Sequence, residues 1–424
     1  MTSRDNLGQP IGSKVRLTDK IGIGVLTGIV GRDLIDEVLL ETAKREKRSR
    51  LLPARVVVYY VMALTLFFGE SYEEVMRRLV GGLQHLRAWS KEWHVPSGSA
   101  ISQARKRLGE APMKELFQRV AQPIAKKGSL GAWYQGRRVM AIDGVVLDVA
   151  DTSENHAAFG RSGNRIADSP FPQIRVVALA ECGTRACVAA TIGTMKTHER
   201  QATAEILSAV EPNMLVLADR GYYSYDLWKT VRTTTGADLL WRLMSQIDLP
   251  VYESLPDGSY LTALLPKSMR SDMKRGKYRR IDRFEIPVRI IEYRIPDRSD
   301  EVIRLATSIL DPEEAPAIEL AALYHERWEI EMLFDEIETH QIGAQPILRS
   351  RSPELVRQEV WGLLLTHYAI RHLMAQTSER EDVDIDRLSF MRSLRVIRRQ
   401  VTDQSSFSPQ KTRYRTDRHL QRDS

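Results

Sequence analysis

Cysteine is nearly absent from this chain of 424 residues, which contains only Cys182 and Cys187. Two thiols cannot build the disulfide framework that holds small secreted domains together. Their four-residue gap, without a matching pair of cysteines or histidines, is also a poor signature for zinc. The sequence therefore predicts two buried free thiols.

A long apolar segment is missing as well. The first twenty residues mix charged and polar side chains and contain no apolar core of a signal peptide. One apolar run, residues 56–68, stops at Gly69 and falls well short of the roughly 20 residues that cross a bilayer. We therefore expect no export, no membrane contact, a cytoplasmic location and a buried helix at 56–68.

Length and charge set the next limits. A chain of 424 residues is too long for one ordinary core, so two or three folding units are expected. The sequence is 43% hydrophobic and 28% charged, with a net charge of +7 and a pI near 9.3. This balance fits a globular protein with a cationic face, for which nucleic acid is the first partner to consider. Because many proteins are basic, the positions of the charged residues along the chain must decide whether nucleic acid is the partner.

After a flexible lead at 1–20, residues 21–130 show helical periodicity and predict an all-α domain. The predicted helices are 33–47, 55–68, 71–83 and 99–108, separated by proline and glycine. In the last of these, Lys106 and Arg107 point outward if Ile101, Ala104 and Leu108 face a core. Such a helix is built like one that reads a DNA groove, and equally like a solvated cationic face.

From about residue 137 the pattern becomes strand-like. Strands are predicted at 138–148, 174–180, 186–192 and 214–218, with an amphipathic helix at 201–210 before the last strand. Three antiparallel strands, a helix and a further buried strand form the front half of a ribonuclease H-like sheet. We therefore predict an α/β catalytic core with a mixed sheet over residues 131–345.

Three acidic residues lie at positions that suit a catalytic site. Asp143 lies inside the first strand, where an ionised carboxylate is costly without a cation, and Asp219 closes the fourth. Glu331 shares a helix face with Tyr324 and Arg327. A buried salt bridge or a helix cap explains either aspartate alone, and a solvated helix with internal ion pairs explains the third segment. Together the acids permit a metal-dependent phosphoryl-transfer site.

At these residues the chain resembles the insertion-sequence-four family of DDE transposases. The segment AIDGVVLDVADT at 141–152 resembles the family's first-aspartate block, and ADRGYY at 218–223 resembles the second. Tyr324, Arg327 and Glu331 match the first three letters of its Tyr-Arg-Glu-Lys signature. SPFPQ at 169–173 and LPARVVV at 52–58 are similar to the family too.

The resemblance implies a cut-and-paste transposase that acts on double-stranded DNA, both terminal inverted repeats and target DNA, as a homodimer in the synaptic complex. It also implies two Mg²⁺ or Mn²⁺ ions, with Asp143 holding both and Asp219 and Glu331 one each. A hairpin intermediate is a further implication. The rival interpretations are a ribonuclease H-like nuclease without strand transfer and a catalytically impaired DNA-binding derivative.

Around the metals, Arg327 and Tyr324 are predicted to grip phosphate, since the arginine fork pairs with two oxygens at once. Trp328 and Tyr223 are candidates to stack a flipped base, although core packing is the commoner role of such aromatics. His198 is expected to be structural.

One position departs from the family signature. Glu338 stands where the family has lysine, seven residues after Glu331, and should cost activity because a carboxylate repels the DNA backbone. Asp335 and Glu338 are alternative third acids, but Glu331 alone keeps the Tyr-Arg-Glu spacing.

The remaining segments complete the predicted layout. A β-rich insertion at about 245–300 carries a basic patch, in which Lys274, Arg275 and Lys277 are predicted to bind DNA. Residues 346–400 are predicted to be helical, at 354–376 and 386–399. A basic tail at 401–424 is expected to be disordered.

Overall fold

The computed structural model of the protein describes residues 22–46, 52–81, 95–162, 169–247, 249–266, 269, 285–294, 302–344 and 347–402. The predicted lead at 1–20, nearly all of the tail and the basic residues Lys274, Arg275 and Lys277 lie outside these ranges. In the part of the chain that is described, no helix is both long and apolar enough to cross a membrane.

The described residues of the N-terminal part form five α-helices: α1 (Arg32–Glu41), α2 (Ala54–Leu66), α3 (Tyr72–Gly81), α4 (Gly98–Leu108) and α5 (Ala111–Val120). The apolar run forms α2, which is buried on every side except at Arg55, as predicted. Helix α4 begins at Ser97, whose side chain accepts a hydrogen bond from the backbone of Ala100, and ends at Gly109 with a positive φ of 74°.

The inward face of α4 is the predicted one, with Ile101, Ala104 and Leu108 buried. Sequence reasoning missed Arg105, which is fully buried on the same helix.

A single sheet runs through the rest of the chain. Its strands are β1 (Trp133–Tyr134), β2 (Arg137–Val149), β3 (Gln173–Glu181), β4 (Ala186–Thr194), β5 (Met214–Ala218), β6 (Asp238–Arg242), β7 (Glu253–Ser254), β8 (Tyr260–Leu264), β9 (Ile286–Tyr293), β10 (Ile303–Thr307) and β11 (Ile347–Leu348). The order is β4-β3-β2-β5-β6-β10-β9-β8-β7, and β1 and β11 pair with β2.

The first five strands of that path have the predicted ribonuclease H-like arrangement. Strands β2, β3 and β4 are antiparallel neighbours, and β5 and β6 follow parallel to β2 on its other side. The predicted strand limits agree with the observed ones to within two residues. The helix predicted at 201–210 is instead α7 (Glu199–Thr203) followed by a 3-10 segment, Ala204–Ala209, a tightening that is common at helix ends.

The β-rich insertion extends this sheet. Strand β10 pairs antiparallel with β6, and β9, β8 and β7 follow outward from it. The described part of the insertion is therefore continuous with the catalytic sheet through main-chain hydrogen bonds.

The remaining helices are α6 (Ser153–Phe159), α8 (Tyr225–Thr235), α9 (Ala317–Leu323), α10 (Trp328–Asp335), α11 (Pro353–Glu381) and α12 (Phe390–Thr402). Two hydrophobic clusters lie on the two faces of the sheet. One contains α7 and α8; the other contains α10, α11, α12 and the N-terminal helices in one continuous core. Helix α11 packs on both α2 and α5, so the C-terminal helices and the N-terminal helices are packed together.

A buried ion cluster ties α10 to this helical layer. Glu336, which follows α10 and is 3% exposed, pairs with Arg371 of α11 and accepts a hydrogen bond of 2.9 Å from Nε2 of His367. Burial lowers the pKa of His367 to about 3, so the imidazole is neutral. Arg185, in the β3–β4 turn, reaches Glu336 at 3.2 Å and Glu329 of α10 at 3.0 Å. The cluster therefore fixes α10 from two sides.

Replacing Glu336 by Gln should lower the free energy of unfolding by about 3–5 kcal/mol, because it leaves the buried Arg371 without its carboxylate. Urea unfolding of the purified variants measures the change. The matched control is Glu379→Gln, whose partner Lys126 is exposed; its cost should stay below about 1 kcal/mol. Equal losses in the two variants would show that the Glu336 cluster adds nothing beyond a surface pair.

Candidate functional site

The two aspartates of the site come from neighbouring parallel strands. Ile142 of β2 is in register with Ala218 of β5, and Asp143 and Asp219 are the next residues of the two strands. Adjacent strands lie roughly 4.8 Å apart, so the Cα atoms of the two aspartates are neighbours at the same height along the strands. Asp143 falls on the face of β2 that Val139 and Ala141 share, toward the helical layer.

Helix α10 packs on that face and brings the third acid. Arg327, just before α10, lies between the acids: its Nη1 is 3.2 Å from Oδ2 of Asp143 and its Nη2 is 2.7 Å from Oε1 of Glu331. The guanidinium thus bridges a carboxylate of the sheet and a carboxylate of the helix. The structure therefore brings together Asp143, Arg327 and Glu331. Arg327 follows Asp143 by 184 positions and precedes Glu331 by four.

Burial and charge act on Asp143 together. Burial raises the pKa of Asp143 to about 6, a shift opposed by the hydrogen bond from the backbone of Gly144 and by Arg327, and increased by Glu331 and Asp219. The Gly144 N–H donates to Oδ1 at 2.8 Å. All three acids therefore share one electrostatic environment, in which added positive charge is favourable.

The donor set fits a divalent metal ion in its chemistry. Carboxylate oxygens are the hard ligands that Mg²⁺ and Mn²⁺ prefer. As the side chains stand, no three His, Cys, Asp or Glu residues of the described part are grouped to hold a metal. Arg327 explains this, because its guanidinium lies between Asp143 and Glu331.

Tyr324 has a different contact from the predicted phosphate. Its ring is buried, and its hydroxyl donates to the carbonyl oxygen of Ala218 at 3.2 Å, directly before Asp219. Burial raises the pKa of Tyr324, so the hydroxyl keeps its proton. In this structure Tyr324 joins the end of β5 to the helix that carries Glu331.

The two aromatic candidates differ in exposure. Trp328 is 50% exposed and lies beside Arg327, whose guanidinium carbon is 5.5 Å from the ring centroid. Tyr223 is buried in the cluster around α8, so its ring packs in the core, the alternative that the sequence left open. A neighbour that sequence reasoning missed, Tyr222, is closer to the acids, and no pattern around it signals this.

The buried Tyr222 hydroxyl has no hydrogen-bond partner among the described residues. A Cβ atom added at Gly144 would lie 3.3 Å from it, which explains why glycine follows Asp143.

Glu338 does not continue the stripe of Tyr324, Arg327 and Glu331. It lies in a π-helical segment, Glu336–Ile342, that follows α10. Burial and two carboxylates, those of Asp335 and Asp148, raise the pKa of Glu338. The wider π turn changes the direction of the side chains after Asp335, so helical spacing counted from Tyr324 does not extend to Glu338.

Two of the predicted DNA-binding residues, Lys106 and Arg107, are exposed on the last turn of α4.

His198 precedes α7 and is exposed. Both cysteines are buried and free, as predicted.

Comparison with known proteins matches these segments. The family described as "Insertion element 4 transposase N-terminal" matches residues 20–118, and the "Transposase DDE domain" matches residues 134–368, more than half of the chain. A cryo-EM structure of the piggyBac transposase synaptic complex with hairpin DNA has a TM-score of 0.49 at 11% identity, covering 94% of this chain and 83% of that chain.

Two relatives come from Escherichia coli (strain K12). Transposase InsG for insertion sequence element IS4 is 30% identical over 380 residues, which cover 89% of this chain and 82% of the relative. Putative transposase InsZ is 28% identical over 49% of this chain and 67% of its own length. This chain therefore belongs to the insertion-sequence-four family of DDE transposases.

Proposed function

We propose that the protein cuts the inverted-repeat ends of its element and joins them to target DNA at Asp143, Asp219 and Glu331. The observation that carries this proposal is the pairing of Asp143 of β2 and Glu331 of α10 with one arginine, next to Asp219 at the end of the neighbouring strand β5. DNA is cut where negative charge gathers on phosphoryl oxygens, and such a cluster is suited to binding cations there.

In this proposal Asp143 would hold two Mg²⁺ or Mn²⁺ ions, and Asp219 and Glu331 would hold one each. When bound, these ions would stabilise the negative charge that gathers on the oxygens of the phosphodiester. Arg327 pairs with a phosphate oxygen of the DNA, since its fork already aims into the cluster. Trp328, exposed beside it, stacks a base at the cleaved end.

Water attacks the strand first, and the freed 3′-hydroxyl attacks next, at the opposite strand when a hairpin forms. The synaptic complex holds two copies of the chain, and the cytoplasm, where bacterial DNA lies, is the compartment this reaction requires. A nuclease without strand transfer would use the same acids, and strand-transfer products from a pre-cut end separate the two activities.

The catalytic assignment predicts that Asp143→Ala, Asp219→Ala and Glu331→Ala each abolish cleavage and leave binding of end DNA largely intact, because the acids and the DNA-gripping residues are different groups. The measurement is cleavage, with purified protein and magnesium, of a plasmid that carries the flanking DNA of the protein's own gene. Asp226→Ala, which removes an exposed acid on α8 outside the site and outside the Glu336 cluster, is the control and should retain cleavage. Normal cutting by any of the three variants would overturn the assignment.

The pKa of Asp143 predicts a stability effect in the metal-free protein. Because its folded pKa, about 6, exceeds its ordinary value of 3.8, the protonated form stabilises the fold below about pH 4, and this contribution is lost as the pH rises through 6. Asp143→Asn should therefore raise the free energy of unfolding at pH 8 by about 1–3 kcal/mol, with little effect at pH 4.

Thermal unfolding in EDTA, at several pH values, measures this difference. The exposed Asp226→Asn is the control and should show no such pH-dependent gain. Adding magnesium at pH 8 should raise the Tm of the wild type more than that of Asp143→Asn. An Asp143→Asn variant that is less stable than the wild type at pH 8 would contradict the electrostatic account.

Glu338 gives a third prediction. Glu338→Lys should raise strand cleavage and end binding at moderate salt, because the new ammonium replaces a group that repels phosphate and lies near Asp148 and Asp335. The gain should shrink as salt screens the contact. Glu338→Gln, which removes the negative charge without adding a positive one, is the matched control and should give a smaller gain. If Glu338→Lys loses cleavage while Glu331→Ala keeps it, Glu338 is the third metal ligand.

A further inference from the structure

A cleft of about 630 Å³ separates α4 from the loops at the far end of β2. One wall is α4, with Ser102 and Lys106 one turn apart. The other wall holds hydroxyl groups and arginine. It is formed by Thr152, Ser153, Glu154, Arg349, Arg351 and Ser352.

The free charge in this cleft is positive. Lys106 and Arg351 are both exposed, and neither has an ion-pair partner among the described residues. Of the two acids that line the cleft, Glu73 already accepts a hydrogen bond of 2.5 Å from the backbone of Gly98. Glu154 lies in the first turn of α6, where its charge is favourable to the helix.

Buried contacts hold the two walls at a set separation. Arg105 of α4, fully buried, donates to Ser350 Oγ at 3.0 Å and to the carbonyl of Leu355 at 3.2 Å, beside Arg351. Its Nε donates to Gln358 at 2.9 Å. The cleft therefore needs no rearrangement of α4 to present Lys106 opposite Arg351.

The second wall is stiffened in the same way. The Thr152 hydroxyl donates to the carbonyl of Arg351 at 3.1 Å, and Asn155, fully buried, donates to the carbonyls of Ala150 and Ser350. These bonds join the loop after β2 to the loop after β11. Side chains on a prearranged wall lose little freedom when they bind a ligand.

The cleft also lies within reach of the acids. Thr152 follows Asp143 by nine positions, and nine extended residues span at most about 30 Å. Duplex DNA rises about 3.4 Å per base pair, so this distance is less than one turn of the double helix. One DNA end can therefore contact the cleft and the acids together.

Resting on the proposed function, we propose that this cleft binds the phosphodiester backbone of the element's end within about one helical turn of the cleaved bond. Lys106 and Arg351 contact phosphate from opposite walls, and the hydroxyls of Ser102 and Ser352 donate to phosphate oxygens. Such contacts fix the register of the DNA and are independent of base sequence.

The test is the salt dependence of DNA binding by the double variant Lys106→Gln/Arg351→Gln, measured in an Asp143→Asn background with a duplex of the flanking DNA. Each lost phosphate contact should flatten the slope of log K against log salt by about 0.9, so the double variant should flatten it by about 2. At 0.1 M salt its affinity should fall by about ten- to a hundredfold.

The matched control is Lys127→Gln/Lys229→Gln, which removes the same charge from exposed positions away from the cleft and should keep the slope. An unchanged slope in the cleft variant, or the same flattening in both pairs, overturns the proposal. Failure of the wild type to cleave end DNA would refute the proposed function instead, since the salt slope is measured without cleavage.

Discussion

An ionised carboxylate in the middle of a buried strand must have a cation beside it, and this constraint organises the catalytic half of the molecule. Asp143 is placed by β2, an interior strand of the sheet, where main-chain hydrogen bonds to β3 and β5 leave it little freedom. Arg327 supplies the positive charge and at the same time holds Glu331. The position of α10 on the sheet is thus coupled to the charge of the site.

Because Arg327 precedes α10, anything that moves this helix moves both the arginine and Glu331. The Glu336 cluster restrains that movement through α11, and Arg185 restrains it through the β3–β4 turn. Tyr324 adds a contact to the end of β5. Three separate attachments therefore converge on the segment around Glu331, and each uses a group buried away from water, where polar contacts are strong.

Sequence pattern predicted the strands well because β2, β3 and β5 are rich in apolar and β-branched residues. The resemblance named Asp143, Asp219 and Glu331 as the acids of the site, and that assignment stays a prediction. Neither could predict that the insertion continues the sheet through β10, since strand pairing between distant segments depends on tertiary packing. Periodicity also could not show that Arg105 points inward, because its partners lie about 250 positions later in the chain.

The limits of helical spacing are clearest around Glu331. Helical spacing of three and four residues places Tyr324, Arg327 and Glu331 on one face. The contact between Arg327 and Glu331 agrees with this, and Arg327 also reaches Asp143 on the sheet. Such spacing does not extend to Glu338, because the chain passes from a 3-10 turn through α10 into a π turn. The π turn begins at Glu336, whose carboxylate contacts Arg371 and His367 in the interior. A buried cluster can therefore determine local helix geometry, and with it the direction in which Glu338 faces, more strongly than the spacing of the residues along the chain.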